Sequence, residues 1–79
     1  MRHRYRNISG RNIARFRRAS GLSQAELAQR LTELNVPMSR QAIGRIERRE
    51  RKLYDGEAYA IAEVVGQTVS RLLDERVRS

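Results

Sequence analysis

Apolar residues recur along this chain at helical spacing, and no segment alternates apolar and polar residues over the length of a strand. The pattern predicts five helices. Ile13 and Phe16 share one face of a first helix, residues 10–19, which stops at the Ser20-Gly21 pair. Ser23, with Glu26 three residues on, forms a capping box, so a second helix begins at Gln24 and carries Leu27, Ala28, Leu31 and Leu34 on one stripe. Pro37 disfavours helical geometry at Val36, which ends this helix near Leu34 or Asn35, and Asn35 tolerates the left-handed conformation that closes helices. After a turn over residues 35–38, Ser39 caps a third helix, residues 40–49, with Ala42, Ile43 and Ile46 facing inward. A basic connection, residues 49–54, leads to Asp55 as cap of a fourth helix. Its stripe of Ala58, Ile61, Ala62 and Val65 is closed by Gly66. Thr68 then caps a short fifth helix with Val69, Leu72 and Leu73 inward. The expected fold is all-α: one compact five-helix domain over residues 10–75, with a basic flexible arm (residues 1–9) before it and a short tail (residues 76–79) after it.

Composition narrows the function. A chain of 79 residues, 39% hydrophobic, has room for one core but not for a second domain or a lidded cleft, so neither enzymatic activity nor a small-molecule ligand is expected. Cysteine is absent and the single histidine, His3, stands alone near the terminus. Thiolate metal sites and disulfides are therefore excluded, and no cofactor is expected. No apolar stretch approaches the roughly 20 residues that span a bilayer, which makes the expected location cytoplasmic, with no membrane partner.

Charge is the most informative quantity. Seventeen basic residues, sixteen of them arginine, against nine acidic ones give a net charge of +8 and point to a polyanionic partner, with nucleic acid ahead of a membrane surface. The charge is segregated: residues 1–18 carry +7, residues 19–39 carry −1, residues 40–52 carry +4 and residues 53–79 carry −2. Within the second basic segment, Arg40, Gln41, Gly44, Arg45 and Arg48 follow the helical repeat as one outward stripe.

Two helices joined by a turn, the second opening on polar residues after a serine, constitute a helix-turn-helix candidate. An arginine fork matches guanine O6 and N7 and a glutamine amide matches adenine N6 and N7, so Arg40, Gln41 and Arg45 can read bases in a major groove. Gly44 beside them permits close approach of DNA or of another helix. Helix N-termini present unpaired amides and positive potential, which suits the starts of helices two and three, at Gln24 and Ser39, to phosphates. Arg48, Arg49, Arg51 and Lys52 stand where they can clamp phosphates. Arg2, Arg4 and Arg6 are either a solvated tail or an arm along the duplex.

The runs GLSQAELAQRL, SRQAIGRIERRERKL and IAEVVGQTVSRLL resemble the Cro and lambda-repressor type of helix-turn-helix domain, the XRE family, over roughly residues 10–73. The resemblance implies a lambda-repressor-like fold and a transcription regulator, a repressor in a prokaryotic or phage setting, that binds double-stranded DNA at the nucleoid. It also implies that Gln24 contacts phosphate and steadies the reading helix, and that Arg40, Gln41 and Arg45, with Gly44, hold the base-reading positions. It further implies that Arg17 and Glu47 form a structural ion pair between helix one and the end of helix three. In addition, related domains pair near helix five, where Val69, Leu72, Leu73 and Val77 offer apolar surface for a homodimer on an inverted-repeat operator. One departure stands out: the family commonly has two residues between the position of Leu31 and the cap, and this chain has seven, residues 32–38. The extra residues are expected to lengthen helix two by about one turn, with Leu34 continuing its stripe. Two rival readings share the same charge. One is a nonspecific nucleic-acid-binding protein, and the other is an antitoxin-like protein-interaction module for which DNA binding is secondary.

Overall fold

The structure is a computed structural model that describes residues 4–5 and 10–73. The elements are β1 (Arg4–Tyr5), α1 (Gly10–Ala19), α2 (Gln24–Glu33), α3 (Arg40–Glu47), β2 (Leu53–Tyr54), α4 (Asp55–Val65) and α5 (Val69–Leu72). The domain is all-α apart from an antiparallel ladder of two residues a side, Arg4 opposite Tyr54 and Tyr5 opposite Leu53. Periodicity cannot announce so short a ladder. Residues 1–3, 6–9 and 74–79, which include Arg2, His3, Arg6 and Val77, lie outside the described residues.

The helix starts follow from local chemistry. At α2 the Ser23 hydroxyl accepts from the Glu26 amide at 3.0 Å, while the Ser23 amide donates to Glu26 Oε1 at 2.8 Å. These bonds, the backbone one above all, hold the Glu26 carboxyl below its ordinary value. The cap is thus at full strength above the usual carboxylate range and is lost as pH falls through the lowered value. Ser39 Oγ caps α3 through the Ala42 amide at 3.0 Å, and Thr68 Oγ1 caps α5 through the Arg71 amide at 3.1 Å. At α4 the cap is displaced by one residue. Tyr54 is the N-cap and its amide donates to Glu57 Oε1 at 3.1 Å, whereas Asp55 is the first helical residue.

The long connection between α2 and α3 is divided between helix and turn. Thr32 and Glu33 extend α2, and Asn35 then reverses the chain at φ 62°. Leu34 is consequently carried out of the apolar stripe and is 37% exposed. Met38, beyond the reversal, is buried, and Val36 is packed against the core.

Ile13, Leu27, Leu31, Ile43, Ile46, Leu53, Ile61 and Leu72 are almost completely buried; each contributes roughly 1.5–3 kcal/mol of transfer free energy. Leu53 comes from the connection read as merely basic, and its burial anchors β2. Leu72 corrects an expectation. It is 0% exposed and seals the core beneath α1 and α4, so it is not part of any dimer surface. The Asn12 Nδ2 donates to the Leu72 carbonyl at 3.4 Å and ties α1 to α5.

Gly10 sets how closely α1 and α3 meet. A β-carbon there would lie 2.5 Å from the Ile46 carbonyl oxygen and 2.7 Å from that of Glu47, both backbone atoms that cannot swing aside. Gly10→Ala is therefore expected to destabilise the domain by about 1–3 kcal/mol. Urea denaturation with an unchanged midpoint would show that the two helix ends are not packed as described.

Candidate nucleic-acid interface

The end of α3 is held by a carboxylate. Glu47 Oε2 accepts from Arg17 Nε at 2.6 Å, and Oε1 accepts from Arg17 Nη2 at 3.1 Å and from Gln24 Nε2 at 2.9 Å. The remaining arm of the guanidinium, Nη1, donates to the Leu22 carbonyl at 2.8 Å. The Arg17 and Glu47 side chains are 10% and 7% exposed, so charge and hydrogen bonding are balanced out of water. The pair expected from the resemblance is present, and it includes Gln24, the first residue of α2. One N–H of the Gln24 amide is thereby committed to aligning α2 with α3.

Beyond this network α3 presents its outward stripe. Arg40, Gln41, Arg45 and Arg48 are exposed, and together with Gln24 and Gly44 they line one open groove. Among the described residues no carboxylate side chain lines it. Gly44 is buried, because the Gln24 amide and the Arg48 guanidinium lie over it. A β-carbon at this position would stand 3.1 Å from Arg48 Nη1 and 3.8 Å from both Gln24 amide heteroatoms. Gly44 is the floor on which the groove's polar groups rest. Ser39 is exposed at the head of α3, where its hydroxyl is engaged as the cap.

The basic run after α3 divides into two kinds of residue. Arg48, Arg49 and Lys52 are exposed. Arg48 Nε reaches Glu50 Oε2 at 3.2 Å with both side chains more than half exposed, a pair worth little in water. Arg51, expected among the phosphate contacts, is instead bound by Glu57: Nη1 to Oε1 at 2.9 Å and Nη2 to Oε2 at 3.0 Å, with Nη1 also donating to the Lys52 carbonyl. The Glu57 hydrogen bonds hold the Arg51 guanidinium above its ordinary value. Because the same carboxylate receives the Tyr54 amide, Arg51 serves to fasten the start of α4. The sequence offered no pairing signal here beyond opposite charges six residues apart.

A family model described as helix-turn-helix matches residues 13–72. The chain belongs to that family, the XRE or lambda-repressor type. It is a family of DNA-binding domains, not of enzymes. No curated protein and no solved structure matches the chain at a significant level. The helix-turn-helix itself is α2 with α3, and the stripe on α3 is its outward face. Among the described residues no helix is long and apolar enough to cross a membrane.

Val69 and Leu73, assigned to a dimer surface together with Leu72 and Val77, are half-buried against the core. Tyr59 on α4 is 63% exposed. For the network at Glu47, removing one partner strands the other charge. Glu47→Ala is expected to cost about 3–5 kcal/mol of stability. A loss no larger than that of a surface substitution, measured by thermal and urea melts, would show that the three helices are aligned by other contacts.

Proposed function

We propose that this helix-turn-helix domain is a sequence-specific regulator of transcription, a repressor, that lays α3 in the major groove of double-stranded DNA. The observation that carries the reading is the groove over α3, in which the exposed Arg40, Gln41, Arg45 and Arg48 converge with Gln24. Arg40, Gln41 and Arg45 read bases, since arginine forks match guanine and a glutamine amide matches adenine. Arg48, Arg49 and Lys52 hold phosphates after the helix, and the capped helix starts at Gln24 and Ser39 hold them before it. Gln24 does so with whatever donor capacity its bond to Glu47 leaves it.

The protein acts in the cytoplasm at the nucleoid. It pairs as a homodimer through the partly exposed Val69 and Leu73, together with Val77 outside the described residues. Two copies related by a two-fold axis would set their reading helices about 34 Å apart, which demands an inverted-repeat operator.

Sequencing of DNA fragments selected by the purified protein tests this directly. The expected result is an enriched inverted repeat whose half-sites are one helical turn apart. Arg45→Ala should lose about 1–3 kcal/mol of discrimination at one base pair of each half-site while keeping the others. An unenriched pool, or binding abolished by modest excess of heterologous duplex, favours the nonspecific alternative. Preferences unaltered in Arg45→Ala would remove that residue from base reading.

A further inference from the structure

Of the five glycines, Gly44 alone stands in the middle of a helix. Gly21 and Gly66 close helices at φ 74° and 72°, and Gly10 and Gly56 lie in first turns, whereas no left-handed backbone asks for glycine at position 44. Apart from proline, glycine is the poorest residue for a helix interior. Its surroundings show what the missing side chain makes room for. A β-carbon on Gly10 would strike the backbone of α3, but the three atoms nearest a β-carbon on Gly44 all belong to side chains of the groove: Arg48 Nη1 at 3.1 Å and the two amide heteroatoms of Gln24 at 3.8 Å. The glycine therefore leaves space for a guanidinium and an amide, not for a packed helix.

That space changes where Arg48 acts. Helical side chains lean toward the N-terminus, so residue 48 covers the surface over the preceding turn, which a side chain at position 44 would otherwise occupy. The Arg48 guanidinium lies over a residue four positions back, about 6 Å nearer the start of α3 by helix rise. There it joins Arg40, Gln41 and Arg45 in the lining of the groove. Glu50 Oε2 takes its Nε at 3.2 Å. Nη1 and Nη2 are left to form a fork, the geometry that matches guanine O6 and N7.

We propose that Gly44 is a specificity-determining position that acts through Arg48: without a side chain at 44 the guanidinium is seated in the groove, where it reads a guanine in addition to the phosphate contact open to an arginine at this end of the helix. The inference rests on the DNA-binding reading and deepens it, since it adds a base contact to those of Arg40, Gln41 and Arg45.

The test selects DNA fragments with the unaltered protein, with Gly44→Ala and with Arg48→Ala, then measures affinity for the selected site and its single-base variants, together with the thermal melting of each protein. The unaltered protein should prefer guanine at a position where Arg48→Ala loses about tenfold or more in discrimination, with the remaining preferences kept. Gly44→Ala should lose the preference at that same position and keep the slope of log Kd on log salt, since no cation is removed. It should also melt about 4 °C or more higher, because alanine favours the helix and an exposed guanidinium gives way. Adding Gly44→Ala to Arg48→Ala should cost no further discrimination, and Arg48→Lys should keep the salt slope without the guanine preference. Full guanine preference in Gly44→Ala would show that the glycine does not seat Arg48, and an Arg48→Ala protein that binds all sites more weakly alike would return Arg48 to the phosphates. Either result overturns the proposal. A further loss in the double variant would do the same, assigning Gly44 to direct approach of the duplex. If the unaltered protein enriches no site, the sequence-specific reading has itself failed, and this is seen before any variant is compared.

Discussion

The carboxylate of Glu47 is the constraint on which the rest of the domain depends. Buried at the end of α3, it takes N–H groups from Arg17 on α1 and from Gln24 on α2. A carboxylate removed from water is costly unless its oxygens are satisfied. Here that requirement is met only when three helices stand in one arrangement, and the penalty for leaving it becomes a selection of geometry. The apolar contacts of Leu27, Leu31, Ile43 and Ile46 drive the helices together, but they are non-directional. The hydrogen-bonded carboxylate supplies direction. Its bond from Gln24 also lays an amide across Gly44, so the network that orients α3 builds one wall of the groove as well.

Charge is arranged around this point by function. Acidic groups are spent on the scaffold: Glu26 in a cap, Glu47 beneath the groove and Glu57 behind Arg51. The basic groups Arg40, Arg45, Arg48, Arg49 and Lys52 lie exposed along one helix and its exit. A net charge that described only a tendency toward polyanions thus becomes a face, since Glu26, Glu47 and Glu57 are engaged within the scaffold, although Glu50 meets one of its arginines.

Much of this was legible in the sequence. Five helices, three hydroxyl caps, the left-handed role of Asn35 and the residues of the outward stripe follow from spacing and side-chain chemistry over a few positions. What was not legible depends on distance between elements. Nothing local tells that Gly10 must pass within contact of the Ile46 and Glu47 carbonyls, that Arg51 will be met by Glu57 and so withheld from a ligand, or that Gly44 lies under Gln24 and Arg48. Leu72 illustrates the same limit in energetic terms. Its place on a short terminal helix suggested surplus apolar surface, but a core of this size uses every large aliphatic residue it can reach. Leu34 lies exposed and Met38 buried because the reversal at Asn35 falls between them, and the pattern did not fix where along the connection the chain would turn.

That connection is longer than the family's common pattern, yet the helices it joins are oriented by Glu47, Gln24 and the aliphatic core, not by the turn itself. Within it Asn35 closes α2 and Val36 packs against the core, so a change of length is confined to the exposed positions around them. Loop closure entropy grows slowly, by about 0.6 kcal/mol for each doubling of length, so residues can be gained or lost there at small cost. Variation in this turn is a route by which the domain could acquire a new surface beside the duplex while its reading helix stays where it is.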